Sequence, residues 1–447
     1  MIAPELAAGA VRLALDRGAT DAECTLAESE EFSAQVRMRS LEKLKDAGSC
    51  RAGLRVLIGQ RVGSSHTSDL SGAGIRQMVE SALAVAAIST EDPFAGLPDS
   101  SELGSLTVDL RLYSEDIHKF GTAARIQAAM EAEEAAFGTD PRITNSEGAA
   151  FGAYTGSRVF ANSRGFAGSY RMSSCSLSAT PVARQGDAME RDFWYSIARS
   201  HANLESPSAV GRRAAERAVR RLGARKIATQ KVPVIFDPVT ARSLIGNIFE
   251  AVEGDGIYRK ASFLAGQLGE RVASRNVTVI DDGTLPGLFG TSPFDDEGVP
   301  SRRTVVIDRG VLKSYLLNTY TAKKLALRTT GNASRGVTGN AGVGHGNFYL
   351  EKGDHPPEEI IRGIQQGLYV TELIGQGVNI VTGDYSRGAA GLWIENGEFA
   401  YPVSEITIAA TLQQMLMDVE AAGTDLEFRG SVAAPTLLIR EMTVSGR

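Results

Sequence analysis

The stretch that most limits how this chain can fold runs from Val232 to Pro300, where a short strand, a helix, a second strand and an acidic loop follow closely. Val232-Pro233-Val234-Ile235-Phe236 reads as a strand. Asp237-Pro238 opens a helix, since proline suits the first helical turn. Leu244, Ile245, Ile248, Phe249 and Val252 then recur at helical spacing, with Glu250 and Glu253 between them. Gly254-Asp255-Gly256 is expected to end this helix, because glycine tolerates the left-handed geometry of a C-terminal cap. Asn276 to Ile280 predicts a strand, Asp281-Asp282-Gly283 a turn, and Asp295-Asp296-Glu297-Gly298 an acidic loop.

Before that stretch, Pro4 to Arg17 predicts a helix that stops at Gly18. Asp21 to Glu28, Phe32 to Arg39, Ala52 to Ile58 and Arg61 to Thr67 alternate as strands with one wet face, the pattern of an antiparallel sheet. Ser71 to Ile88, Glu115 to Phe137 and Ser206 to Leu222 read as helices, the first of them covering that sheet. Further strands are expected at Ala149 to Tyr154, Arg158 to Asn162 and Ser169 to Ala179. Beyond Pro300 the strands are short and separated by glycines, which crowd this half and suggest a β-barrel or curved sandwich. Two more helices are expected there, Pro357 to Gln366 and Ile408 to Ala421, and a strand at Val378 to Thr382. The fold class is therefore α+β. Residues 1–225 form an N-terminal domain with an antiparallel sheet and covering helices; residues 226–447 form a β-rich barrel or sandwich with a few helices.

A net charge of −6 over 447 residues argues against nucleic acid and anionic membrane as partners, since both call for a basic face. Cys24, Cys50 and Cys175 have no metal-type spacing and suit a reducing cytoplasm. No signal peptide and no membrane span is expected.

FEAVEGD, SFL, LGERVAS, the aspartate pair before Gly283 and FDDEGVPSRRTVVIDRGVL, followed by TAKKL, TGNASR, GDYSRGAAGLWIENGE and PTLLIREMTVSG, resemble the TldD/PmbA family in order across the C-terminal half. In that family's zinc subunits the helix carries His-Glu-x-x-x-His and a cysteine near the C-terminus completes the site. Here Phe249 stands where the first histidine falls, directly before Glu250. The second histidine is missing, and Leu426 to Ser431 offers no cysteine. A catalytic zinc needs about three N, O or S ligands converging on one point. The chain thus resembles the PmbA/TldE branch, which lacks the zinc motif. The resemblance implies a TldD-type zinc subunit as partner, zinc in that partner only, and no cofactor in this chain. It implies proteolysis of unfolded peptide, with family roles in peptide-antibiotic maturation and antitoxin degradation. A self-sufficient hydrolase using Glu250 and the acidic loop, and a homodimeric peptide-binding scaffold, remain alternatives.

For a peptide groove the candidates are Phe249, Glu250, Glu253 and Asp255 along the helix end, with Ser386 and Arg387 from the GDYSRG segment. No catalytic residue is assigned, Glu250 being a remnant position. A solvated helix face is an equal reading of the three carboxylates. Asp281, Asp282, Asp295, Asp296 and Glu297 read as a loop held by Arg302, Arg303 and Lys313 nearby in sequence. The histidines His66, His118, His201, His345 and His355 share no ligand spacing, and His345 is expected in a glycine-rich loop. Gly383-x-x-Ser386 is not a nucleophile elbow, because Asp384 replaces the glycine two residues before the serine.

Overall fold

The computed structural model describes residues 4–446. Helix α1 (Pro4–Asp16) leads into strands β1 (Asp21–Arg37), β2 (Ser40–Ile58) and β3 (Arg61–Thr67), and then helix α2 (Gly72–Ile88). Helix α3 (Thr122–Thr139) follows, with strands β4 (Ile143–Asn162), β5 (Ala167–Gln185), β6 (Ala188–Arg191) and β7 (Trp194–Ala198) and helix α4 (Pro207–Val219). The strands make one antiparallel sheet in the order β3-β2-β1-β4-β5-β6, with β7 beside β5. Helices α1 and α2 cover one end, burying Ala7, Ala10, Met78 and Val79 against Leu26 and Leu54; α3 and α4 cover the other, over Phe151 and Leu177.

The strands are longer than the sequence suggested. The segments expected at Asp21–Glu28 and Phe32–Arg39 are one strand, as are those at Ala149–Tyr154 and Arg158–Asn162. In β2 every residue from Ser40 to Ser49 is exposed, so no alternation exists there to be read. The helix expected from Glu115 begins only at Thr122, after a single 3-10 turn over Glu115–His118.

The second half opens with β8 (Gln230–Phe236), α5 (Pro238–Val252) and α6 (Gly254–Tyr258). Next come β9 (Val279–Asp282), β10 (Arg303–Asp308), β11 (Val311–Leu312), α7 (Thr319–Leu325), β12 (Ala333–Ser334), β13 (Gly342–Val343) and β14 (Asn347–Leu350). The chain closes with α8 (Pro357–Arg362), β15 (Gln366–Ile374), β16 (Asp384–Glu395), β17 (Glu398–Thr411), α9 (Leu412–Met417), β18 (Val419–Ala422), β19 (Val432–Ala433) and β20 (Leu437–Ser445). Strands β17, β16, β15, β8 and β20 pair in succession, and β20 pairs back to β17, which closes a five-stranded barrel. Closure removes the free edges that short strands would otherwise present. A second sheet, β11-β10-β9-β14-β19, stands beside it. Helix α5 packs into the core that the barrel and this sheet share, through Leu244, Ile245, Ile248 and Val252.

Several local expectations are corrected. Helix α5 starts as expected, with the Asp237 carboxylate accepting from Thr240 N–H. It ends because Glu253 turns extended (φ −66°, ψ 139°), not through a left-handed glycine. Gly254 instead opens α6, and a β-carbon there would meet the Thr321 hydroxyl at 2.5 Å, so glycine permits a close approach of α6 and α7. Asp281 and Asp282 end strand β9 rather than forming a turn. The segment Ile408–Ala421 is not one helix. Ile406 and Ile408 both point into the core as part of β17, with exposed Thr407 between them, and Thr411, whose hydroxyl accepts from Gln414 N–H, starts α9 only afterwards. Val378–Thr382 forms no strand, only an isolated bridge at Val378.

Candidate functional site

Phe249 lies on the last turn of α5, half-buried. Its ring stands edge-on to His345 at 4.6 Å between centroids and to Phe348 at 5.8 Å. His345 belongs to the loop before β14, its Nδ1 2.8 Å from the Gly346 carbonyl, and burial lowers its pKa. Edge-to-face rings are held by quadrupole attraction as well as by burial, so this corner is a packed aromatic cluster. It does not suit a zinc ion: the rings packed edge-on against Phe249 offer one imidazole, and among the described residues no three His, Cys, Asp or Glu side chains gather as a metal would need.

Of the other expected groove residues, Glu250 is exposed while Glu253 and Asp255 are half-buried. Burial raises the Glu253 pKa, and the negative charges of Asp255 and Glu250 raise it further, so the three carboxylates share one patch. Ser386 is exposed on β16, and Arg387 Nη1 donates to Ser243 Oγ at 2.7 Å. Ser243 and Phe249 are six residues apart, about 120° round the helix. The structure therefore joins Arg387 to α5 but on a different face from Phe249.

The other wall of His345 faces a cavity of about 220 Å³ between the first sheet and the second half. Tyr170 and Arg199 line it from the first half, and Asp281, Asp295, Asp296, Arg302 and Asn332 from the second. The acidic region predicted from sequence is thus a buried wall, held only in part by the arginines nearby in sequence. Asp281 accepts from Asn332 Nδ2 and from Gly346 N–H, both at 2.7 Å. Burial raises its pKa to about 7, an effect those hydrogen bonds only partly offset. Asp295 accepts three backbone N–H groups, from Glu297, Val299 and Ala333, and burial together with Glu297 raises it to about 8. Glu297 accepts from Thr319 N–H at the start of α7 and is also raised by burial. Of the three expected cation partners, Arg303 comes within 4.0 Å of Asp282; among the described residues Arg302 and Lys313 pair with none of these acids. Asp296 is matched instead by Arg158 of β4, at 2.8 Å.

That pair belongs to a network joining the halves. Arg335, 8% exposed, donates its backbone N–H to Asp296 and its guanidinium to Glu23 of β1. Arg55 of β2 also binds Glu23, at 3.0 Å, and reaches Asn340 at 2.9 Å. Burial alone would raise the Glu23 pKa, yet the two guanidinium groups hold it below its ordinary value. A β-carbon on Gly53 would overlap the Val337 carbonyl, so glycine lets the 331–340 loop lie directly on β2. Sequence reasoning missed Tyr170, Arg199 and Asn332 as wall residues. For Asn332 the TGNASR stretch was the available signal.

A helix end packed on the His345 loop, beside a cleft walled by buried carboxyls, defines the class: an α+β chain whose candidate site lies where its two halves meet. Comparison narrows it. The PmbA/TldA metallopeptidase domain 1, central domain and C-terminal domain match residues 22–86, 115–222 and 229–446. A metalloprotease PmbA homologue of Haemophilus influenzae is 37% identical over 441 residues, covering 98% of this chain and 94% of that one. Metalloprotease PmbA of Escherichia coli O157:H7 is 37% identical over 436 residues, covering 97% and 94%. The crystal structure of TldE from Thermococcus kodakarensis shares the fold at a TM-score of 0.87 and 21% identity, covering 99% of this chain and 100% of that one. The chain belongs to the PmbA/TldD metallopeptidase family. No helix among its described residues is long and apolar enough to cross a membrane.

Proposed function

We propose that this chain is a zinc-free, PmbA/TldE-like subunit that acts in the cytoplasm by pairing with a TldD-type zinc subunit in the proteolysis of unfolded peptides. The observation that carries this reading is the Phe249–His345–Phe348 cluster, which fills with aromatic rings the corner next to Glu250. A zinc peptidase needs an open metal position and a base there. Zinc would reside in the partner only. The likeness to the PmbA relatives supports the family part of the reading; the pairing and the peptide substrate rest on it by extension. In a mixing experiment, this chain alone should leave an unfolded protein such as casein uncut and should hold no stoichiometric zinc. Adding a TldD-type subunit should yield a hetero-oligomer by size-exclusion chromatography, with chelator-sensitive cleavage. Stoichiometric zinc with cleavage by this chain alone would overturn the proposal.

A second reading, a hydrolase using its own acids, is favoured by Asp281, which can exchange a proton near pH 7. It requires casein cleavage by the isolated chain that survives chelation and is lost in Asp281→Asn.

A further inference from the structure

A second cavity, about 480 Å³, lies between α4 and the start of α5, apart from the His345 cleft. That volume is within the range of small-ligand sites and exceeds what a bare inorganic ion fills. Five arginines line it, and their partners divide them. Arg217 is matched by Asp192 at 3.2 Å and Asp237 at 3.7 Å, and Arg429 by Glu205 at 3.0 Å and Glu427 at 2.8 Å. Asp425 is taken up by the N–H and hydroxyl of Thr436. Among the described residues Arg213, Arg220 and Arg242 have no carboxylate at ion-pair distance. Arg213 lies over the Trp194 ring at 3.8 Å, and Arg242 donates to the Tyr195 hydroxyl at 2.7 Å. Arg220 Nε and Nη2 are sealed from solvent without a hydrogen-bond partner, and burial beside Arg217 disfavours its charged form. The two remaining lining carboxylates, Glu216 and Glu358, are exposed. Three guanidinium groups with no carboxylate at ion-pair distance therefore line one cavity, and an oxyanion there would take charge-assisted, forked hydrogen bonds from them.

Its position suggests what bears that anion. Arg242 and Phe249 are seven residues apart on α5, so they share a face and stand about 10 Å apart along the axis. An extended chain covers that distance in about three residues. We infer that the cavity is an oxyanion site for the carboxylate of an organic acid, the free end or an acidic side chain of a peptide lying along α5. The peptide part of this inference rests on the function proposed above; the charge pattern does not.

The test is calorimetric titration of the full chain at constant ionic strength with three probes: an N-acetylated tetrapeptide acid, the same peptide as its C-terminal amide, and inorganic phosphate. The acid should bind saturably and the amide roughly ten-fold or more weaker, the usual cost of removing a charged hydrogen-bonding group. Arg220→Gln and Arg242→Gln should each weaken the acid by a similar factor and leave the amide unchanged. Should these variants fail to fold, Arg242→Lys serves: it keeps the charge, loses the planar fork and should weaken the acid by a smaller factor. Saturable phosphate binding with a silent peptide acid would overturn the assignment to an organic acid and make the cavity a phosphate site. Equal binding of acid and amide would overturn the site while leaving peptide handling intact. Absence of binding by both the acid and phosphate up to roughly 5 mM, beyond the usual range of a small-ligand site, would also overturn it.

Discussion

Asp281 makes the stability of this protein depend on pH in a direction opposite to that of an ordinary surface carboxylate. Its folded pKa is about 7 against an ordinary value of 3.8. The folded state therefore holds a proton that the unfolded chain has lost between those two values. Stability from this group is fully present below about pH 4, declines as pH rises, and is gone once pH passes the folded value. The loss is at most about 1.4 kcal/mol per unit and falls to half of that at pH 7, so from pH 5 to pH 8 the group alone withdraws about 2.7 kcal/mol. Asp281→Asn cannot ionise. It should carry a constant penalty of about 1–3 kcal/mol, because one of its two atoms now offers a donor where an N–H donor already points. Urea denaturation of the parent and the variant at pH 5 and pH 8 separates the two effects. The parent should lose about 2.7 kcal/mol more than Asp281→Asn across that interval. An equal loss in both would show that Asp281 is already ionised in the folded state and that burial does not govern it.

The network between the halves invites two further measurements. Arg335→Ala leaves Glu23 buried with Arg55 as its sole cation and should lower stability by about 3–5 kcal/mol; Glu23→Gln combined with Arg335→Met should recover part of that loss, as read from urea midpoints. Gly53→Ala places a β-carbon 1.6 Å from the Val337 carbonyl oxygen and should cost at least about 1–3 kcal/mol and increase protease cutting near residue 337. Gly48→Ala on the same strand meets nothing nearer than Ser29 O at 3.7 Å and should stay within about 0.5 kcal/mol of the parent.

Much of the second half was legible in the residues. Asp237-Pro238, the spacing of Leu244 to Val252 and the glycine-rich turns foretold α5 and a barrel, because local capping and burial periodicity act there without help from distant segments. The link between the two expected halves of β1, at 29–31, and the arm of β2 before Ala52 were not legible. Residues wet on both faces carry no alternation, and only cross-strand pairing such as Glu31 with Ala47 holds them extended. The acidic wall failed to declare itself for a related reason. Its partners are the backbone N–H groups of Val299, Ala333 and Gly346 and a guanidinium 138 positions away, Arg158, and none of these has a side-chain signature near Asp295. The change at Phe249 was visible at once, since a phenyl ring has no N, O or S atom to offer zinc; that its ring is enclosed by His345 and Phe348 required the fold.

Glu23 and Arg335 lie 312 residues apart, and this sets an order of events during synthesis. The ribosome finishes every strand of the first sheet by Ala198, long before Arg335 has been made. Until then Glu23 has Arg55 alone, and the groove that Gly53 leaves on β2 stands empty. The early product is thus an incomplete template that waits for the late loop, and non-local closure of this kind is slow. Nascent chains stalled before residue 335 should be the form that chaperones hold longest.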